Sequence, residues 1–128
     1  MESTWQALLA GRSGAGPITQ FDPNGYGTRF ACEVKDFDPV QYIDRKEVRR
    51  LDRFTHFALV AALQAVEHAG LKIGPENAAD VGVIIGSGIG GLITLFEQFK
   101  VLTERGPGRV SPFLVPMMIS DTAAGQVS

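Results

Sequence analysis

Apolar and small residues recur every three or four positions between Leu51 and Ala69, which is the spacing of one face of an α-helix. The preceding run Asp44-Arg45-Lys46-Glu47 has the order of a capping box, and Gly70 is a residue type that ends helices. The pattern therefore predicts one continuous helix that begins after the capping box and ends at Gly70. Because alanine fills many of its inward positions, we expect this helix to pack closely between layers of structure.

A second pattern lies between Val81 and Gly91, where the sequence reads V-G-V-I-I-G-S-G-I-G-G. Its β-branched run predicts a strand buried on both faces of a sheet, followed by a glycine-rich turn. Gly86, Gly88 and Gly91 fit the G-x-G-x-x-G pattern of dinucleotide-binding turns, whose glycines let backbone amides approach a pyrophosphate. The second strand with a terminal acidic residue that such a fold needs is missing. A turn that serves close backbone approach is therefore the alternative prediction.

The remaining patterns complete an alternation of helices and strands. They predict a short helix that begins near Ser3 and ends at Gly11, an edge strand at Arg29 to Val34, a helical turn at Asp38-Pro39, and a helix from Pro116 toward Ser128. This order is that of an α/β protein. No strand precedes the first predicted helix and no stop signal follows the last one beyond Gly125, so we expect the chain to be part of a longer protein.

Composition limits the classes of function. With 45% hydrophobic and 20% charged residues, the 128-residue chain has the composition of an ordinary globular protein, and its formal net charge of -2 argues against general nucleic-acid binding. No apolar run reaches the roughly 18 residues of a membrane span, and the amino terminus lacks the order of a signal peptide, so a cytoplasmic location is expected. One cysteine and two distant histidines give no metal-ligand spacing, so no metal site is expected.

Five motifs in this order resemble the bacterial β-ketoacyl-acyl-carrier-protein synthases of the type II kind. They are E-S-T-W-Q-A-L-L-A-G-R-S-G at Glu2 to Gly14, F-A-C-E-V-K-D-F at Phe30 to Phe37, R-K-E-V-R-R-L-D at Arg45 to Asp52, I-G-S-G-I-G-G at Ile85 to Gly91, and V-S-P-F-L-V-P at Val110 to Pro116. The resemblance covers nearly the whole chain. It implies the amino-terminal half of a thiolase-like fold with layered α-β-α-β-α architecture, incomplete at both ends, so that residues 1–128 are part of one ketosynthase domain.

The resemblance also implies an activity. Members of this family are acyltransferases of fatty acid biosynthesis that use no cofactor and work as homodimers. An acyl group on a cysteine is attacked by a carbanion from malonyl-acyl carrier protein as carbon dioxide leaves, and two histidines stabilise the enolate. These three residues belong to parts of the family's sequence that this chain does not match. We therefore expect no catalytic residue within the chain, and no activity from the chain alone.

Two alternatives from other classes stay open at this point. One is a ketosynthase-like subunit of a polyketide system, either a ketosynthase or a chain-length factor that shares the fold but lacks the nucleophile. The other, more distant, is a dinucleotide-binding module built on the glycine-rich turn.

Basic residues recur at three- and four-residue spacing on the predicted long helix, at Arg45, Lys46, Arg49, Arg50 and Arg53. Without the resemblance, a solvated helix face explains such a cluster. With it, Lys46, Arg49 and Arg50 match the family's docking surface for the acidic helix of acyl carrier protein, and Arg109 is expected to extend that surface.

The resemblance assigns two apolar residues to an acyl pocket. Ile89, inside the glycine turn, matches the position where related synthases use side-chain size to admit or limit a growing acyl chain. Leu114 matches a residue that the dimer partner pushes toward the same pocket. The alternative for both residues is ordinary core packing.

The cysteine and the histidines are interpreted as structural. Cys32 lies in the predicted edge strand, away from any helix start that would lower its pKa, so we expect it to be a packing residue. His56 and His68 match no catalytic histidine of the family, and we expect both at the surface or at a helix end.

Overall fold

A computed structural model of the chain describes residues 2–128, which divide into two compact units, one ending at Phe37 and the other running over Asp38–Ser128. In the first unit, helix α1 (Glu2–Leu9) ends where Gly11 takes the left-handed conformation with φ of 62°, as predicted. Strand β1 (Gly16–Pro17) pairs antiparallel with strand β2 (Phe30–Ala31). The predicted edge strand is therefore present, but it is shorter than Arg29 to Val34.

The second unit is mostly helical. Its helices are α2 (Arg45–Val48), α3 (Arg53–Ala69), α4 (Leu92–Arg105), α5 (Leu114–Met118) and α6 (Thr122–Val127). Short 3-10 turns lie at Pro39–Gln41, Ala78–Asp80 and Pro107–Arg109. The first of these confirms the helical turn predicted at Asp38, whose carboxylate accepts a hydrogen bond from the backbone N–H of Val40 at 3.2 Å. Helix α3 packs against α6, and α4 packs against α5.

The prediction of one continuous helix up to Ala69 is wrong. Asp44 caps a helix as predicted, accepting a hydrogen bond from the N–H of Lys46 at 2.7 Å, but that helix, α2, ends at Val48. A new helix, α3, begins after Asp52, whose carboxylate accepts from the N–H of Phe54 at 3.3 Å. The sequence holds two successive aspartate caps, and the second interrupts the helical pattern because an N-cap residue takes an extended conformation. Gly70 ends α3 at φ of 62°, as predicted.

The alanine stripe of α3 is not buried among the described residues. The buried residues of α3 are Thr55, His56 and Val60 in its amino-terminal half, whereas Ala61, Ala65 and Ala69 are exposed. The prediction of a helix enclosed between layers therefore fails within residues 2–128. Spacing predicts which residues share a face, but burial requires a second element against that face.

The strand predicted at Val81 to Ile85 is also absent from the described residues. Val81 has extended dihedral angles, but the segment pairs with no other strand there, and Ile84 is 99% exposed. A strand is defined by hydrogen bonds to a neighbour, and apolar β-branched residues alone do not supply one.

The carboxyl-terminal helix predicted from Pro116 onward is two helices. Helix α5 already begins at Leu114, and the extended backbone of Ile119, with ψ of 139°, separates it from α6. Within residues 2–128, no helix is both long enough and apolar enough to cross a membrane.

Candidate functional site

The predicted docking residues lie around the junction between α2 and α3. Lys46 lies in the first turn of α2, Arg49 is the residue that caps its carboxyl end, and Arg50 follows in the connection to α3. All three side chains are exposed. Because the helix breaks here, the prediction that the basic residues share one face of a single helix is wrong. Lys46 and the capping residue Arg49 belong to α2, and Arg50 lies in the connection that follows it.

Arg50 makes two side-chain contacts. Its Nη1 atom lies 3.5 Å from Oε1 of Glu47, and both side chains are about half exposed, at 56% and 50%. Its guanidinium carbon lies 5.5 Å from the ring centroid of Phe113, a cation–π arrangement. The exposed ion pair adds little stability because solvent screens it. The contact with Phe113 matters more, because it joins the α2–α3 junction to a segment more than sixty positions further along the chain.

That segment also contains the fourth predicted docking residue. Arg109 is exposed and ends the 3-10 turn at Pro107–Arg109, four positions before Phe113. The backbone N–H of Ser111 donates to Oε1 of Gln98 at 2.7 Å, which fixes the segment against α4. The four predicted docking residues, Lys46, Arg49, Arg50 and Arg109, thus belong to two segments that the Arg50–Phe113 contact joins. We call these four residues the basic surface.

Beneath the basic surface, Asp52 connects two helices. Its side chain is 4% exposed. One carboxylate oxygen, Oδ2, accepts hydrogen bonds from both the N–H and the hydroxyl of Thr94, at 2.8 Å and 2.6 Å, and the other oxygen caps α3 through Phe54. Thr94 lies in the first turn of α4, so one carboxylate caps the amino termini of α3 and α4 together. Sequence reasoning missed this role, although Asp52 is a preferred N-cap residue type directly before a helix start.

His56 lies in the first turn of α3 and is buried, at 7% exposure, so of the two predicted locations it takes the helix end and not the surface. Its Nε2 atom lies 3.0 Å from the carbonyl oxygen of Val48. Because a carbonyl oxygen can only accept, Nε2 must carry the proton, and the histidine links the end of α2 to α3. His68 is exposed in the last turn of α3, as predicted.

The glycine turn brings two backbones into contact. Gly90 has φ of 77°, and a Cβ atom added there would collide with the carbonyl oxygen of Met118. A Cβ atom on Gly91 would collide with the carbonyl oxygen of Met117 and lie 3.0 Å from the Cα atom of Met118. The N–H of Gly91 also donates to the carbonyl oxygen of Met118 at 2.8 Å. These two glycines are needed because the α5 backbone approaches so closely.

The same geometry argues against the dinucleotide-binding alternative. In such a site, free N–H groups of the turn and of the following helix face a pyrophosphate. Here the N–H of Gly90 donates to the hydroxyl oxygen of Ser87 at 3.0 Å, that of Gly91 to Met118, and that of Thr94 to Asp52. A buried carboxylate occupies the place where an anionic ligand would bind.

The two predicted pocket residues lie on segments that pack together. Ile89 precedes the two glycines that contact the end of α5, and Leu114 is the first residue of α5. Ile89 is 69% exposed and Leu114 is partly buried. A separate apolar groove of about 270 Å³ lies between α3 and α6, lined by Leu59, Leu63, Val66, Ile73 and Val127 among others, and it contains neither residue.

Cys32 is exposed, so the prediction that it packs inside the protein is wrong. It follows the two-residue strand β2, beyond the last residue that pairs with β1. Among residues 2–128, no group of three or more potential metal-ligating side chains comes together.

Comparison with known proteins gives matches over almost the whole chain. The family model described as "Beta-ketoacyl synthase, N-terminal domain" matches residues 1–128. The chain is 51% identical over 125 residues to the 3-oxoacyl-[acyl-carrier-protein] synthase 2 of Synechocystis sp., covering 98% of this chain and 30% of the relative. It is 48% identical over 128 residues to the enzyme of the same name from Vibrio cholerae, covering 100% of this chain and 31% of the relative. The chain thus spans about a third of the length of these relatives.

Two solved structures are similar in fold. The ishigamide ketosynthase/chain length factor superposes with a TM-score of 0.78 at 30% identity, covering 99% of this chain and 32% of that chain. A type II polyketide synthase acyl-carrier protein in complex with its ketosynthase bound to the hexaketide gives a TM-score of 0.65 at 26% identity, covering 74% of this chain and 27% of that chain. The predicted fold class, a partial α/β thiolase-like fold, is confirmed by these similarities.

Proposed function

Since the chain belongs to the β-ketoacyl synthase N-terminal domain family, we propose that it is the part of a 3-oxoacyl-acyl-carrier-protein synthase that receives the carrier protein and borders the acyl pocket. The reaction is a decarboxylative Claisen condensation in fatty acid elongation. Malonyl-acyl carrier protein loses carbon dioxide, the resulting carbanion forms a carbon–carbon bond with the acyl thioester carbon, and the enzyme thiolate leaves. In this proposal the nucleophile and the enolate-stabilising histidines come from other parts of the full-length protein.

The observation that carries the proposal is the identity of 51% with a 3-oxoacyl-acyl-carrier-protein synthase 2 over 98% of the chain. The geometry supports the same function. The basic surface exposes four cationic side chains on a chain whose formal net charge is -2, so the positive charge is local. A local positive surface accelerates association with an acidic partner and gives that association a strong dependence on salt.

Ile89 and Leu114 are proposed to border the acyl pocket. Their segments are held together through the glycine turn and α5, which supports a shared role. The full-length protein is proposed to be a homodimer located in the cytoplasm, with the α5 segment that contains Leu114 close to the partner subunit. No redox cofactor is part of the proposal.

The test is a condensation assay on the full-length protein that carries this sequence. Purified protein is mixed with an acyl-acyl carrier protein and malonyl-acyl carrier protein, and the 3-oxoacyl product and released carbon dioxide are measured. We expect one equivalent of carbon dioxide for each new carbon–carbon bond. We also expect a covalent acyl-protein intermediate, visible by mass spectrometry, on a cysteine other than Cys32, so that Cys32→Ser keeps both signals.

A non-catalytic subunit is the second candidate, because one structure similar to this chain is a ketosynthase/chain length factor. The same assay separates the two. A full-length protein that binds acyl carrier protein but forms neither the acyl-protein intermediate nor product would overturn the enzyme proposal in favour of this alternative. Formation of the intermediate on Cys32 would overturn the assignment of the nucleophile to another part of the protein.

A further inference from the structure

We propose that Asp52 is a positioning residue that holds Arg49 and Arg50 of the basic surface in a fixed geometry relative to the glycine turn that contains Ile89. This inference rests on the function proposed above and deepens it. Asp52 does not contact substrate in this proposal. It acts by fixing the position of Arg49 and Arg50 relative to the glycine turn.

The first observation is the completeness of the hydrogen bonding at Asp52. Asp52 is 4% exposed, and its carboxylate accepts hydrogen bonds from the N–H of Phe54 at 3.3 Å, the N–H of Thr94 at 2.8 Å and the hydroxyl of Thr94 at 2.6 Å. Thr94 itself is 5% exposed. Hydrogen bonds to a charged acceptor are stronger and more directional than neutral ones, and burial removes competition from water. The amino termini of α3 and α4 are therefore fixed to each other at one point.

The second observation is that Asp52 and Thr94 each lie a few positions after a predicted functional segment. On one side, Arg49 and Arg50 come three and two positions before Asp52. On the other side, Gly91 comes three positions before Thr94 and Ile89 five positions before it. A shift of α3 relative to α4 must therefore move Arg49 and Arg50 relative to the glycine turn.

The third observation concerns two neighbouring contacts that do not themselves join α3 to α4. The Arg50–Phe113 contact at 5.5 Å involves an arginine that is 56% exposed, so it can adjust to a shift. The glycine turn is held to α5 by the bond from Gly91 to the carbonyl oxygen of Met118, which does not involve α3. The carboxylate of Asp52 joins the starts of α3 and α4 directly, through its hydrogen bonds with Phe54 and Thr94.

A series of substitutions in the full-length protein tests the inference. Asp52→Asn replaces one acceptor oxygen with a donor and breaks either the Phe54 or the Thr94 side of the link. Thr94→Val keeps the N–H bond and removes the hydroxyl bond, and Thr94→Ser keeps both. For each variant, KM for acyl carrier protein, kcat and the distribution of product chain lengths are measured, together with the melting temperature.

We expect Asp52→Asn to raise KM for the carrier protein on the order of ten-fold, which corresponds to the loss of one buried charged hydrogen bond. The same variant should broaden the distribution of product lengths. Thr94→Val should give smaller changes in the same two quantities, and Thr94→Ser should match the unsubstituted protein. A purely structural role predicts a different result, namely a lower melting temperature and a smaller active fraction with KM and product lengths unchanged, and that result would overturn the inference.

Failure of the proposed function gives a separate result. If the unsubstituted full-length protein forms no 3-oxoacyl product, the condensing function is refuted whatever the variants do. If it is active and Asp52→Asn changes only KM or only the product lengths, the function stands and the proposed link between the two parts of the site is wrong.

Discussion

The hydroxyl of Thr94 donates a hydrogen bond of 2.6 Å to a carboxylate oxygen of Asp52, a residue 42 positions earlier in the chain. The same oxygen accepts from the backbone N–H of Thr94, and the second oxygen caps α3. Four unpaired N–H groups normally lie at the start of each helix. Here one aspartate satisfies a donor at the start of two helices, and these bonds compensate for the burial of its carboxylate.

Two buried threonines should respond in opposite ways to the same substitution. Thr94→Val removes a buried hydrogen bond to Asp52, and we expect it to lower the free energy of unfolding by about 1–3 kcal/mol. Thr55 is 0% exposed, and its hydroxyl has no hydrogen-bond partner among the described residues. Thr55→Val is of similar volume and removes an unpaired polar group, so it should be neutral or stabilising. Denaturant unfolding of the full-length protein measures both, and equal losses would contradict the assignment.

Gly91→Ala and Gly88→Ala form a second matched pair. A Cβ atom on Gly91 collides with the carbonyl oxygen of Met117, whereas one on Gly88 meets nothing within 4 Å among the described residues. Gly91→Ala should lower the free energy of unfolding by about 1–3 kcal/mol, because the added Cβ atom forces the α5 backbone away. Gly88→Ala should change the free energy of unfolding little. Thermal unfolding of the two full-length variants checks this expectation. If Gly88→Ala lowered the melting temperature and Gly91→Ala did not, the close backbone approach would be at Gly88 and not at Gly91.

Charge reversal distinguishes the basic surface from charge elsewhere on the protein. Lys46 lies before the start of α3 and Lys72 lies beyond its end, so Lys46→Glu and Lys72→Glu change the net charge equally at opposite ends of the helix. We expect the first variant to lower kcat/KM for acyl carrier protein about ten-fold at low ionic strength and less at high salt. The measurement is kcat/KM for acyl carrier protein in both variants across a series of salt concentrations. An equal decrease in the Lys72→Glu variant would contradict a localised docking surface.

Enlarging the side chain at Ile89 tests the pocket assignment. Ile89→Phe adds volume between two glycines, so it should shorten the longest acyl chain that the full-length enzyme elongates, because a larger ring occupies space that the chain needs. KM for acyl carrier protein should stay the same, since Ile89 is not part of the basic surface. Product analysis by mass spectrometry with acyl substrates of increasing length provides the measurement, and Lys46→Glu, which should leave product length unchanged, serves as the control.

Glu33 gives a prediction about pH. Its carboxylate accepts hydrogen bonds from the N–H and hydroxyl of Thr19, at 2.9 Å and 2.7 Å, and these bonds hold the pKa of Glu33 below its ordinary value of 4.5. Because the pKa of Glu33 is lower in the folded protein than in the unfolded chain, the ionised carboxylate stabilises the folded state at pH values above 4.5. This stabilisation is lost as the pH falls through the pKa that Glu33 has in the folded protein.

A comparison of the stability of Glu33→Gln with that of the unsubstituted protein across pH tests this direction of the pH dependence. The variant should be less stable at neutral pH, and the difference should shrink toward zero in acid as Glu33 itself becomes protonated. A difference in denaturation midpoint that stays constant down to acid pH would show that the hydrogen bonds to Thr19 do not depend on the carboxylate charge.

The sequence by itself determined the features that depend on neighbouring residues. Gly11 and Gly70 end helices because only glycine adopts the left-handed conformation at little cost, and Asp38 and Asp44 cap turns because their side chains reach the N–H groups two positions ahead. The order of motifs was also sufficient to identify the family, because it does not depend on how the elements pack.

Only the tertiary structure decided the relations between distant residues. The contact between Arg50 and Phe113, the double cap formed by Asp52, and the backbone approach at Gly91 each join segments that no local pattern connects. Asp52 shows both levels, because its bond to Phe54 is a local N-cap, whereas its bonds to Thr94 depend on the position of α4. Local propensity predicts which residues can start or end an element, but which donors and acceptors meet is set by packing across the whole fold.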